Sequence, residues 1–410
     1  MRPIVVLLGA TLAIAACADP VAPPAPATTA SGAATTPPTA TPSVAPTSAQ
    51  ALFARFVALG TSNSMGVQAA GVFAAGQRAA WPAELARRVG VPFSLPLVQD
   101  PGCGPPLLPP LVADLVLVGA FGDDLVTGVM EFCMPLRDGV TLPANSVAIS
   151  GAKVRDALRT TPEMEAARVP RKGELYSRVL LPGQTQVTAM LAQMPTFVSV
   201  ELAANEVLPA STGRVEAMTP YADWERDYDA VLAAVKSTGA GAVLVGLPNN
   251  AANFPSIRRA REFFNEWPAL LTLGITVSIN CYFSSNHLFI PGYLLTLVSK
   301  TPTTATCANV PGAVDYVLTA SDINTINARL AQMNTRISAK AAENGYAYFS
   351  LEAVYGLPKP KLSVLDLLFS NNPFGPNISL DGVHPSAAGQ AILATAAAQA
   401  ISVKYGVTIP

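Results

Sequence analysis

The part of this sequence best equipped for chemistry is Ser379-Leu380-Asp381-Gly382-Val383-His384-Pro385-Ser386-Ala387-Ala388-Gly389. The chain has only two histidines, His287 and His384, so any mechanism that needs an imidazole must use one of them. An acid, Asp381, lies three positions before His384, with a turn-forming Asp-Gly pair between. Pro385 restricts His384 to an extended backbone and suits the first position of a helix, here the Ala-rich run from Ser386 to about Lys404. The positive end of that helix disfavours an imidazolium and helps keep His384 a neutral base. Asp381 opposes that effect and could fix the ring's orientation and tautomer. Taken alone, an Asp-x-x-His is more often a turn plus a helix cap. His287 has no such neighbour and reads as a structural or surface histidine.

A base needs a nucleophile to serve. Phe56-Val57-Ala58-Leu59 is a short apolar run of the kind that forms a buried parallel strand. It stops at Gly60-Thr61-Ser62-Asn63-Ser64-Met65-Gly66, and helical sequence including Trp81 to Arg88 follows. A strand, a tight turn and a helix would give Ser62 an exposed oxygen beside a helix N-terminus. A serine in such a turn is, by itself, most often a cap.

The elements that must position these groups alternate along the chain. Further strands are expected at Ser146–Ser150, Thr196–Leu202, Ala242–Gly246 and Tyr346–Leu351. Helices are expected around Gln184–Gln193, from Pro220 to Ser237 with Thr219 as cap, and from about Asp322 to Asn344 with Ser321 as cap. Five such units predict an α/β fold: a flavodoxin-like three-layer α/β/α arrangement with a five-stranded parallel sheet in the order 2-1-3-4-5. Sites in such sheets form at the carboxyl ends of the strands, where Ser62, Gly151 and Asn205 all fall. Adjacent strands lie about 4.8 Å apart, so the three could converge on one small group.

Two long insertions interrupt this pattern, roughly Asp100–Asn145 and Ala251–Thr319. The first holds Cys103 and Cys133, the second Cys281 and Cys307. Pairing Cys103 with Cys133 and Cys281 with Cys307 would staple each insertion, although four cysteines allow three pairings. A zinc site is disfavoured because no Cys-x-x-Cys or nearby histidine pair is present. The apolar segment Leu288–Leu295 within the second insertion could be a lid over a lipid-binding groove or could simply pack on the core.

The N-terminal region reads as export and anchoring. Residues 1–16 have a basic start and an apolar run too short to span a bilayer, as in a signal peptide. Ile14-Ala15-Ala16-Cys17 resembles a bacterial lipobox, which would make Cys17 a lipidated N-terminus. Residues 17–50 are mostly Pro, Ala, Thr and Ser, a composition suited to an extended linker. The globular body is then expected over 51–410. Net charge is −1 with no basic run, which argues against nucleic-acid binding. Half of the residues are hydrophobic and 13% charged, enough for a large core.

In this order the segments resemble an SGNH (GDSL-type) hydrolase, more narrowly its bacterial lipoprotein branch, over nearly the whole body. Leu59-Gly60-Thr61-Ser62 is similar to the family's first motif, Gly-Asp-Ser, which implies Ser62 as nucleophile. Ile149-Ser150-Gly151-Ala152 resembles the second, with Gly151 offering a backbone N–H. Ala203-Ala204-Asn205-Glu206 resembles the third, Gly-x-Asn-Asp, with Asn205 offering a side-chain N–H. Asp381 and His384 match the fifth and complete a triad. Thr61, Ala203 and Glu206 depart from the family's Asp, Gly and Asp. Asn249 and Asn250 are rivals for the oxyanion role. The resemblance implies a cofactor-free, metal-free serine esterase or lipase, anchored to the bacterial cell envelope and acting on small-molecule, lipid or glycan acyl esters. The alternative is a binding or scaffold lipoprotein that keeps the fold without useful catalysis.

Overall fold

The computed structural model describes residues 48–104, 106–108, 133–298 and 303–410. The signal, Cys17 and all but the end of the linker lie outside the described residues, as does most of the first insertion. The body starts slightly before the expected boundary, because Ser48 caps a short helix, Ala49–Leu52.

Four parallel strands form the central sheet. In chain order the first three are β1 (Phe56–Gly60), β2 (Phe197–Glu201) and β3 (Gly241–Gly246). The fourth is β9 (Ala347–Ser350), and the spatial order is β1-β2-β3-β9. Nearly every residue of the first three is buried, because helices cover both faces. Trp81–Val89 and Ala387–Tyr405 pack together on one face. Gln186–Ala192, Tyr221–Ser237 and Ala320–Asn344 pack in sequence on the other.

The expected fifth strand is only partly realised. Ser146–Ser150 lies beside β1, in the place that the 2-1-3-4-5 order assigns it, but only Ser146 forms a ladder pair. Val147 N–H donates to Ala58 O at 2.9 Å and Ile149 N–H to Gly60 O at 3.1 Å. The segment then turns away at Gly151, whose φ of 73° favours glycine.

Three local expectations are corrected. Thr319, not Ser321, caps Ala320–Asn344, because Thr319 and Asp322 have the spacing of a reciprocal capping box. Tyr221–Ser237 has no side-chain cap, and the Thr219 hydroxyl instead accepts from Lys153 Nζ. Ser386 caps the last long helix, which leaves Pro385 outside its first turn.

The second insertion is more ordered than its sequence suggested. β4 (Ile257–Arg259), β6 (His287–Phe289) and β8 (Val317–Leu318) form a small antiparallel sheet. β5 (Ile275–Val277) and β7 (Thr303–Ala305) form a parallel pair beside it. Leu288, Phe289 and Ile290 are buried, so this stretch packs as a wall and not as a free lid.

The disulfides are Cys103–Cys133 and Cys281–Cys307, the pairing expected. Cys281 and Cys307 lie 26 residues apart and are both buried. Closing such a loop is worth roughly 3–4 kcal/mol by chain entropy. Cys281→Ser with Cys307→Ser should lower the denaturation midpoint accordingly in urea titration. An unchanged midpoint would mean that the packing of β4, β6 and β8 holds the insertion unaided.

Candidate active site

The site is built where strands end. β1 closes on Gly60, and the chain folds at once into the short helix Ser62–Met65, which ends at Gly66 with φ 81°. A side chain at Gly60 would meet Ser64 Oγ at 2.5 Å, so this reversal needs glycine. Ser62 is the first helical residue, and its backbone N–H has no acceptor among the described residues.

Beneath this turn sits Glu201, the last residue of β2 and paired in register with Gly60. It is 2% exposed. Thr61 Oγ1 donates to Glu201 Oε1 at 2.8 Å, and Thr61 N–H and Ser64 N–H donate to Oε2 at 3.0 and 3.2 Å. Burial pushes the carboxyl up, while these hydrogen bonds favour its ionised form. Thr61 thus has a defined task, tying the turn that carries Ser62 to an acid from the neighbouring strand. Glu201 was not singled out from the sequence. Its signal was an acid ending an otherwise apolar buried strand, a position that demands partners.

The loop after β2 carries Asn205 in the short helix Ala204–Val207. Asn205 Nδ2 donates to Ala152 O at 2.8 Å, and Val154 N–H donates to Glu206 Oε1 at 2.7 Å. Adjacent side chains therefore bracket the segment that follows Gly151. Burial pushes Glu206 up to about 7, against the pull of the Val154 N–H and the Lys153 charge. Gly151 N–H, like that of Ser62, has no acceptor among the described residues. Ala203 has φ −167°, outside the left-handed region that would call for glycine.

The last component is the loop at Asp381. Asp381 Oδ1 accepts from Val383 N–H and His384 N–H, both at 2.8 Å, and Oδ2 lies 2.8 Å from His384 Nδ1. Ala70 N–H, just beyond the helix Ser62–Met65, donates to Oδ2 at 2.6 Å, and Ala69 N–H donates to Ser379 Oγ at 3.0 Å. Ala69 and Ala70 have φ 49° and 61°, a left-handed backbone that costs on the order of 1 kcal/mol or more per non-glycine residue. These two bonds hold it in place. Burial raises the Asp381 pKa, but the His384 charge and the donated hydrogen bonds outweigh that and bring it to about 2. The carboxylate is therefore ionised and aimed at one ring nitrogen. Tyr355 Oη fixes the loop by donating to Val383 O at 2.6 Å. Gln390 is fully buried; it accepts from Trp81 N–H at 2.9 Å and donates to Asn63 O at 3.1 Å, tying the helix after His384 to the turn that carries Ser62.

Ser62, Asn205 and His384 all line one cavity of about 760 Å³, mouth included. Residues following β1, β2, β3 and β9 all contribute to it, as sheet topology leads one to expect. Asn249 and Asn250 do not. Asn249 N–H donates to Glu352, and the Asn250 side-chain Oδ1 accepts from Ala252 N–H and Asn327 Nδ2. His287 lies half-buried in β6, paired across from Arg259, and burial lowers its pKa. Among the described residues no cluster of His, Cys, Asp or Glu could hold a metal ion, and no helix is long and apolar enough to cross a membrane.

No protein family and no curated protein sequence matches the chain. Two solved structures align with most of it. One is a mutant acetyl-xylooligosaccharide esterase from Geobacillus stearmophilus, at 13% identity and TM-score 0.32, covering 85% of this chain and 94% of that one. The other is an extracellular lipase from Streptomyces rimosus, at 14% identity and TM-score 0.34, covering 83% and 98% respectively. Likenesses this slight leave the chemistry of the chain to be argued from its own residues.

Proposed function

We propose that this protein is a serine carboxylic-ester hydrolase of the SGNH type. The observation that carries the reading is the buried Asp381 carboxylate bonded to His384 Nδ1, with His384 and Ser62 lining one cavity. Asp381 holds the Nδ1–H tautomer, which leaves Nε2 free to take the proton from Ser62 as its oxygen attacks the ester carbonyl. The oxyanion is received by the N–H groups of Ser62 and Gly151 and by the Asn205 amide, whose second N–H is not engaged by Ala152. His384 then returns the proton to the departing alcohol, and a water activated by the same ring releases the acid.

Thr61 and Ala203 depart from the family's motifs, which favours a non-catalytic binding protein, but Thr61 is bonded to Glu201 and the φ of Ala203 does not call for glycine, which supports the catalytic reading. Export and anchoring through Cys17 form part of the same proposal. The two disulfides support passage through an oxidising compartment. A fluorophosphonate probe tests the chemistry directly: intact protein should gain one adduct, on the peptide containing Ser62. No adduct, or one on another serine, would sink the assignment.

A further inference from the structure

The cavity that holds Ser62 and His384 is mainly apolar, its other polar residues being Asn63, Asn205, Ser211, Ser256 and Tyr355. Its remaining wall includes Val207, Leu208, Phe254, Phe289, Ile326 and Leu330, and no charged side chain lines it among the described residues. These wall residues come from three places. Val207 and Leu208 follow Asn205, Ile326 and Leu330 lie one turn apart on Ala320–Asn344, and Phe254 and Phe289 belong to the second insertion. Phe289 is in β6, so the insertion's small sheet, and not only the central one, shapes the space.

Resting on the esterase reading above, we propose that this cavity is an acyl-chain pocket and that the substrates are esters of aliphatic acids longer than acetate. A sugar with several hydroxyls, or a charged head group, would lose more hydrogen bonds to water than the few unpartnered atoms of Asn63, Ser211 and Ser256 could replace, at a cost of roughly 1–3 kcal/mol per unpaired polar group. A hydrocarbon chain loses nothing polar and gains apolar contact. The acyl side fits a walled space better than the alcohol side. The acyl group stays bonded to Ser62 Oγ until water cleaves it, whereas the alcohol must depart before that water can enter. Acylation forms the Ser62 Oγ–carbonyl carbon bond and breaks the carbon–alkoxy bond, with the proton passing through His384. Deacylation reverses this sequence with water.

The test is a chain-length series on the full chain: p-nitrophenyl acetate, butyrate, hexanoate and octanoate. Each buried methylene should raise kcat/KM about three- to fourfold, so hexanoate should exceed acetate by on the order of a hundredfold. The isomeric pair ethyl hexanoate and hexyl acetate separates the two sides of the ester, and ethyl hexanoate should be favoured at least about tenfold. Filling the wall with Leu330→Phe, or independently Phe289→Trp, should reduce the hexanoate-to-acetate ratio about tenfold or more. Using two sites guards against one variant that merely fails to fold. A flat series with Ser62-dependent acetate hydrolysis would overturn the pocket and leave the esterase standing, as would a preference for hexyl acetate. No hydrolysis of any ester, together with no fluorophosphonate adduct, would remove both.

Discussion

Ser62→Ala and His384→Ala are each expected to lower kcat for an activated acyl ester by about six orders of magnitude, and the double variant should be scarcely worse. The reason is that neither group works without the other. A serine hydroxyl at neutral pH is a weak nucleophile until a base removes its proton, and the imidazole has nothing to activate once the hydroxyl is gone. What survives in each variant is binding and the oxyanion donors, which alone give about 10³- to 10⁴-fold over water. Ser62 is 8% exposed and its hydroxyl makes no hydrogen bond among the described residues, so Ser62→Ala should melt close to wild type. The check is kcat on p-nitrophenyl hexanoate with the melting temperature measured alongside. Activity that persists in Ser62→Ala would place the chemistry elsewhere.

The second large effect is expected from Asp381→Asn, up to about 10⁴-fold in kcat. An amide at this position cannot satisfy its neighbours in either orientation. With its NH₂ towards the ring it forces Nδ1 to accept, which moves the proton to Nε2 and removes the base. With its NH₂ on the other side it faces the N–H groups of Val383 and His384, both of which need an acceptor. The variant should therefore also lose roughly 1–3 kcal/mol of stability. The native carboxyl sits at about 2, below its ordinary 3.8. The stability it contributes is thus present above the unfolded value and lost as pH falls through the folded one. Turnover within a few-fold of wild type would show that the orientation of His384 does not depend on this acid.

How much of this was legible in the sequence follows from how local each cause is. The Asp381–His384 pair could be read because three residues and an Asp-Gly turn determine it. Ser62 could be read because a short apolar run ends in a turn and a helix. Glu201 could not, since its role depends on β1–β2 register, which pairs it with Gly60 across 140 intervening positions. Ala69 and Ala70 are ordinary residues whose unusual backbone exists only because Ser379 and Asp381 arrive beside them. The small antiparallel sheet escaped notice because its strands are two or three residues long, too short to show alternation. Ser146–Ser150 has the composition of a buried strand, but the turn at Gly151 draws it away from β1 before a ladder is complete.

The hydrogen bond from Ala70 to Asp381 joins residues 311 positions apart. Closing a loop of that length costs roughly 5 kcal/mol beyond a constant, and the long-range packing of the sheet and its helices must offset it. The turn carrying Ser62 can form soon after β1 and β2 pair, whereas His384 reaches it only when the helix Ala387–Tyr405 has docked and Gln390 has found Asn63. On the proposed mechanism, catalytic competence is therefore a property of the completed topology and of no partial fold. In a refolding experiment, hydrolysis should return with the slowest phase, after the helical signal has recovered.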